Sequence, residues 1–286
     1  MMFPIYRIIF ICSISMISAQ DEWVTIGTQQ SRSISGVANL NGNIFLVHDN
    51  KKANEERIGL LRLDGDSVDY RTVDWPVNDL PYDLEALTAI PNSLTDMIAM
   101  ESQGKCHWLI FDKVKQRLAY NGCIQLPGVK YPTNLEGFDL IKSGKKYLAV
   151  WGHRGKTTEP GKLYWGWMDL NHKTVHPLDS LEISVDWPTE YVRHIADIKI
   201  DQSGNCWISA TSDPGDEGPF SSALYQIGTF RFSDNRVQFY LEKHPSPIFK
   251  FENRKVEGFE LISGGILVAT DDEYFGGYIK RINLGE

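Results

Sequence analysis

Five stretches of the chain repeat one pattern, and no other feature of the sequence restricts the fold as tightly. They are SISGVANLNGNIFLVHD (33–49), DLEALTAIPNSLTDMIAME (83–101), NLEGFDLIKSGKKYLAVWG (134–152), HIADIKIDQSGNCWISATS (194–212) and KVEGFELISGGILVATDD (255–272). Each is an alternating run, a turn containing Gly or Asn, and a second apolar run that ends in polar residues, which is the signature of a β-hairpin. The equivalent positions are Ser35, Glu85, Glu136, Ala196 and Glu257, spaced 50, 51, 60 and 61 residues apart. A period of this length marks a ring or array of small units, none of which can bury its apolar face alone.

Each unit runs on into further strand-like sequence, as in RIGLLRLDGDSVDYRTV, HWLIFDKVKQRLAY, KLYWGWMDLNHKTVHPL and ALYQIGTFRFSDNRVQFY. Four strands per unit is the content of a propeller blade, and no long helical period competes with it. The last unit stops after a third strand, at GYIKRINLGE, and EWVTIG (22–27) is left unused near the other end. Pairing the two would close the ring and remove an exposed edge. The expectation is an all-β chain: a single five-bladed β-propeller over residues 20–286, four antiparallel strands per blade. A six-bladed ring is the alternative, but no sixth unit is found.

Residues 1–19 stand apart. One positive charge, Arg7, precedes an apolar run of about a dozen residues ending near Ala19, and this reads as a cleaved secretory signal peptide. The run is short for a bilayer; a retained anchor is the alternative. The expected location is secreted or periplasmic. The formal net charge of -8 argues against nucleic acid as a partner, because phosphate backbones are bound through Lys and Arg. It leaves room for a small phosphorylated molecule if a metal ion mediates. A monomer is expected. Cys106 and Cys123 mirror one another about a turn near 114–115, which in an exported chain suggests a disulfide, with two free core thiols as the alternative. Cys206 reads as a buried free thiol.

The repeated position raises a chemical question. In a propeller the innermost strand of each blade lines the central channel, so five equivalent positions converge on one axis. Three of them are Glu. Like charges in a narrow channel repel and raise one another's pKa, and a cation at the axis removes the conflict. Carboxylates with main-chain oxygens suit Ca2+, which takes six to eight oxygen ligands. Ser35 and Ala196 would supply carbonyls or leave space for water. A solvated polar channel without an ion is the alternative.

The second strand of each hairpin returns to the same face. It delivers His48 and Asp49, then Glu101, then Trp151, His153 and Arg154, then Asp213, then Asp271 and Asp272. Arg154 can offer bidentate contacts to phosphate, and Asp49, His153 and Arg154 are the candidate catalytic groups. His48, Glu101, Trp151, Asp213, Asp271 and Asp272 are the candidate ligand rim. Each also has a plainer role as turn former, loop residue or packing group. TSDPGDEGPFSS (211–222) reads as a binding loop or lid.

At these motifs the sequence resembles two groups of propellers. EGFELISGGILVATDDEYFGG (257–277) and DLEAL (83–87) look like the esterase-like phytase and SdiA-regulated propellers, with an inner-strand EG followed by an acidic stretch and an aromatic. The order Ser35, Glu85, Glu136, Ala196, Glu257 is also similar to the five-bladed calcium-activated apyrases. That resemblance implies a central calcium, with Glu85, Glu136 and Glu257 as side-chain ligands and Ser35 and Ala196 giving carbonyls. The chain departs from the apyrases at HDNKKANEE (48–56) and in offering Arg154 without a paired arginine.

Three functions remain open. One is a metal-dependent phosphoric ester or anhydride hydrolase; another is a non-catalytic binding propeller with a structural calcium. The third is a lactone or carboxylic ester hydrolase. No G-x-S-x-G elbow is present, and GHRGKTT (152–158) lacks the spacing of a P-loop.

Overall fold

Alternating Val, Ile, Leu and Phe give each run one face that must be buried, and the chain solves this by stacking sheets around an axis. The computed structural model describes residues 22–64, 67–128, 133–233 and 236–284. Five antiparallel sheets form a five-bladed β-propeller with almost no helix. The inner strands are Gly36–Leu40, Leu84–Ala89, Leu135–Ser143, Val192–Ile200 and Val256–Ile262. They touch one another in cyclic order, the fifth against the first. Ring closure is as expected: Val24–Gly27 pairs antiparallel with Gly277–Asn283 and completes blade five. Blade four carries an additional strand, Phe249–Glu252, paired with its long third strand Ser221–Ser233.

The core is divided in the same cyclic way. Five clusters of buried apolar side chains each combine residues of two neighbouring blades. Phe45 of blade one, for example, meets Phe111 of blade two edge-on at 4.9 Å. No blade has a core of its own, so each stabilises its neighbours, and removing a buried ring such as Phe45 would cost about 3–5 kcal/mol.

The cysteine expectation is corrected by register. Cys106 and Cys123 are both free, Cys106 buried and Cys123 exposed. Mirror pairing about the turn holds from Asp112↔Arg117 to Leu109↔Tyr120. A bulge then inserts an extra residue in the outer strand, with Gly122 at a φ of 92°. Beyond it Cys123 faces His107, and Cys106 faces Ile124. A one-residue slip moves a side chain to the other face of a sheet, which separates the two thiols. Cys206 is a buried free thiol, as expected. Residues 1–19 lie outside the described residues. Among the latter, no helix is long and apolar enough to cross a membrane.

Candidate functional site

The three glutamates sit at breaks in their ladders. Leu84 pairs with Glu101 and Ala86 with Met100, so Glu85 is the extra residue of a bulge. Glu136 stands likewise between Leu135↔His153 and Gly137↔Gly152, and Glu257 between Val256↔Thr270 and Gly258↔Ala269. A bulge re-aims the side chain that it releases from the pleat, and here three bulges re-aim three carboxylates. In blade four the pairing jumps from Arg193↔Thr211 to Asp197↔Ser209, a wider irregularity that sets His194, Ile195 and Ala196 against Ala210 alone. The glycine after Glu136 has a packing cause. A Cβ on Gly137 would lie 2.8 Å from the Ile198 backbone nitrogen of the next blade. The EG pair thus combines a released side chain with close approach of two inner strands.

One carboxylate oxygen from each of Glu85, Glu136 and Glu257 lies within 4.8 Å of the other two. Positions 172 residues apart in the chain thereby become neighbours at one end of the channel. The cluster is not purely acidic. Arg193 Nη1 donates to Glu257 at 3.0 Å and to Glu136 at 3.4 Å, while its Nη2 donates to Asp213. Arg154 Nη1 donates to Glu136 at 3.0 Å. Lys255, only 1% exposed, reaches Glu257 and Asp271 at 3.2 Å each and Glu273 at 2.5 Å. Glu85 has neither hydrogen bond nor ion pair among the described residues.

The electrostatics follow from that unequal provision. Burial, then the charges of Glu136 and Asp83, push Glu85 well above the usual carboxylate range. Glu257 is also raised, by burial, although Lys255 pulls the other way. Burial pushes Asp271 upward too, but the Lys255 charge together with hydrogen bonds from Glu257, Ser33 and the Glu273 backbone holds its carboxyl well below the ordinary value. Burial opposes the charge of Arg193, but Glu136 and Glu257 keep the guanidinium firmly protonated.

The other expected site residues divide. Arg154, His153 and Asp213 line a cleft of about 540 Å³ beside the axis, together with Lys156, Tyr191 and Arg193. His153 Nδ1 accepts the Gly155 N–H at 3.2 Å. Burial, then the Arg154 charge, lower its pKa. Asp49 is half-buried, and burial followed by the Asp271 charge raises it to about 7. Four residues expected on the rim serve the fold instead. His48 is fully buried between the Ser33 carbonyl (2.6 Å) and the Tyr70 hydroxyl (2.9 Å). Trp151 is in the core, stacked on Tyr164 at 5.8 Å. Glu101 is 2.6 Å from His107 Nε2. Asp272 accepts from the Lys255 backbone and from Arg254, both at 2.8 Å. His48, Glu101 and Asp272 thus have polar partners within the fold, and Trp151 is packed in the core.

Sequence reading passed over Arg193 and Lys255, which neutralise much of the ring. The signal was present: a cation just ahead of the ring position in otherwise apolar strands, VRHIAD and KVEGF. It also missed a second layer three residues further along the same strands, formed by Thr88, Asp139, Lys199 and Glu260. The bulge explains the interval, because one extra residue shifts the phase of the two-residue alternation.

No protein-family model matches the chain, and no curated protein matches it. Solved structures share the fold. An exo-1,5-alpha-L-arabinanase from a bovine ruminal metagenomic library aligns with a TM-score of 0.54 and 10% identity, over 89% of this chain and 94% of that one. An endo-1,4-beta-xylanase from Bacteroides thetaiotaomicron aligns with a TM-score of 0.54 and 7% identity, over 91% and 94%. A GH32 beta-fructofuranosidase from Bombyx mori gives 0.50 and 12% over 89% of this chain, which spans 60% of that protein. These likenesses establish the propeller and nothing finer. The phytase, SdiA-regulated and apyrase resemblance therefore rests on its short motifs.

Proposed function

We propose that the protein is a calcium-centred propeller that binds and hydrolyses a small phosphorylated molecule at the mouth of its channel. The observation that carries this reading is the convergence of Glu85, Glu136 and Glu257 within 4.8 Å, with Glu85 making no hydrogen bond or ion pair among the described residues and feeling Arg193 and Lys51 only at longer range. Oxygens bind Ca2+ at about 2.3–2.6 Å, so ligands on opposite sides of one ion stand about 5 Å apart. The donor set is all oxygen. Ser35 Oγ is buried without a partner at the fourth ring position, and Ser35 and Ala196 have carbonyls to offer. Arg193, Arg154 and Lys255 all meet Glu136 and Glu257 through Oε1.

Calcium in that place would polarise a phosphoryl oxygen. The chain supplies the rest. Arg154, about 30% exposed, and Lys156 present charged donors in the cleft, and a guanidinium can hold two phosphate oxygens at once. His153 keeps Nε2 for the ligand, because Nδ1 is held by Gly155. Asp49, with its carboxyl near 7, can exchange a proton with water close to neutral pH.

A glycosidase reading is suggested by the solved neighbours, but the geometry counts against it. Glycosidase carboxyl pairs stand about 5–5.5 Å apart in retaining enzymes and about 6.5–9.5 Å in inverting ones. The oxygens here are closer than either, and Arg193 bridges two of them. Binding without turnover is the second reading, favoured by the same Arg193, which fills part of the channel. The test is phosphate release from pyrophosphate, a nucleoside diphosphate and phytate, with calcium and with chelator. Hydrolysis predicts calcium-dependent release that Arg154→Ala lowers far more than it lowers the melting temperature. No release from any of the three, beside an intact calcium-dependent melt, would leave a binding propeller.

A further inference from the structure

The face opposite the glutamates carries a second concavity with different chemistry. It lies between blades two and three, where the turns after the first and third strands of blade three meet the third strand of blade two. Its volume is about 600 Å³, and its walls include Trp108, Tyr147, Trp167, Lys145, Lys146 and His176. Volumes of this order hold small ligands. Each of the three aromatic rings has an ammonium over its face: Lys146 on Trp167 at 5.2 Å, Lys142 on Tyr147 at 5.6 Å, and Lys173 on Trp108 at 6.0 Å. Two acids stand close, Asp169 in the cleft wall itself, and each has a partner. Asp96 accepts from Trp108 Nε1 at 2.7 Å, and Asp169 holds His172 at 2.7 Å. A chain of net charge -8 thus bears a local basic patch lined with rings.

We infer that this cleft is a binding site for an acidic saccharide, a sugar ring carrying a carboxylate or sulfate. Sugar rings present C–H faces that pack on indole and phenol rings, and an attached anion meets the lysines already poised over those rings. An ammonium moving from a ring face to an anion exchanges a cation–π contact for a charge-assisted hydrogen bond, the stronger of the two. A neutral sugar would have to displace the lysines with nothing in return. A long nucleic acid would extend beyond the patch onto an acidic surface, where its phosphates are repelled. The site is independent of the axial reading.

The experiment is titration of the full-length mature protein with trigalacturonate, with a sulfated disaccharide, with a neutral glucan trimer and with a single-stranded oligonucleotide, read by tryptophan fluorescence and calorimetry. Both lysines at 145 and 146 are exposed, so the double variant Lys145→Glu/Lys146→Glu is expected to fold. The expected result is saturable binding of at least one acidic saccharide, weakened about tenfold or more in the double variant and unchanged in Glu136→Gln. Which of the two acidic probes binds distinguishes carboxylate from sulfate. Trp108→Phe, which keeps a ring, should retain binding while altering the fluorescence change. Failure of both acidic probes, equal binding of the neutral glucan, preference for the oligonucleotide, or indifference to the double variant would each overturn the assignment.

Discussion

The same five inner strands build two polar layers, and the layers are finished differently. In the lower layer every buried acid is used to join blades. Asp139 accepts from Thr88 of blade two and from the Ile200 backbone of blade four at 2.6 Å. Asp197 accepts the Phe259 N–H of blade five at 3.0 Å, and Glu260 accepts the Asn39 N–H of blade one at 3.1 Å. Lys199 crosses to the Leu87 carbonyl at 2.7 Å. In the upper layer the acids point at one another, and Arg193, Arg154 and Lys255 answer Glu136 and Glu257 but not Glu85. A buried polar group that is fully satisfied rigidifies the fold. The lower layer is a clamp; on the proposed function the upper layer, where Glu85 is left over, is a receptor.

The largest effect that would break this contrast is at Arg193. Arg193→Ala strips the shared cation from Glu136, Glu257 and Asp213. Removing one partner of a buried ion pair costs about 3–5 kcal/mol, so urea unfolding in chelator should show a loss of that order, partly restored by calcium. A loss that calcium leaves untouched would make Arg193 purely structural and the upper layer a second clamp.

The next effect is a pH dependence belonging to the clamp. Burial, opposed by Lys199, raises Asp197 to about 8, and burial raises the half-buried Glu260 to about 7. Both folded-state values exceed those of an unfolded carboxyl, so folding takes up protons. The stability they contribute is fully present at low pH and is lost as pH rises through about 8. The free energy of unfolding in chelator should fall by at least about 1 kcal/mol between pH 5 and pH 8, and Asp197→Asn should flatten that slope. A slope that rises with pH, or one unaltered by Asp197→Asn, would contradict the proposed protonation of the clamp.

Much of this arrangement is legible in the sequence. The hairpin repeat carries the blade number, and the leftover EWVTIG (22–27) carries the ring closure, because both depend on local alternation. The shared position of Glu85, Glu136 and Glu257 placed them on one axis for the same reason. What could not be read were features set by a single-residue change of phase. The bulge near Gly122 separated Cys106 from Cys123. The bulges at the glutamates moved the second polar layer to an interval of three. Partner choice was equally hidden: His48, Glu101 and Asp272 look like rim residues in sequence, and only tertiary contacts show their polar atoms already engaged.

The smallest effect lies on the outer wall. Cys123 is exposed and unbridged, so among the described cysteines it alone should react with a small reagent in the native protein, while Cys106 and Cys206 become reactive only on unfolding. Cys123→Ser should change stability by no more than about 0.5 kcal/mol. Recovery of a peptide linking Cys106 and Cys123 would show that the described register is wrong.

The contrast between receptor and clamp is tested most directly by thermal melts of wild type and Glu85→Gln, each in chelator and in calcium. Glu85 makes no hydrogen bond or ion pair among the described residues and is raised by burial, so neutralising it should leave the chelator melt unchanged or higher. Wild type should melt at a higher temperature with calcium, and Glu85→Gln should lose most of that gain. A wild-type melt indifferent to calcium, or a variant that keeps the full shift, would contradict the axial calcium site.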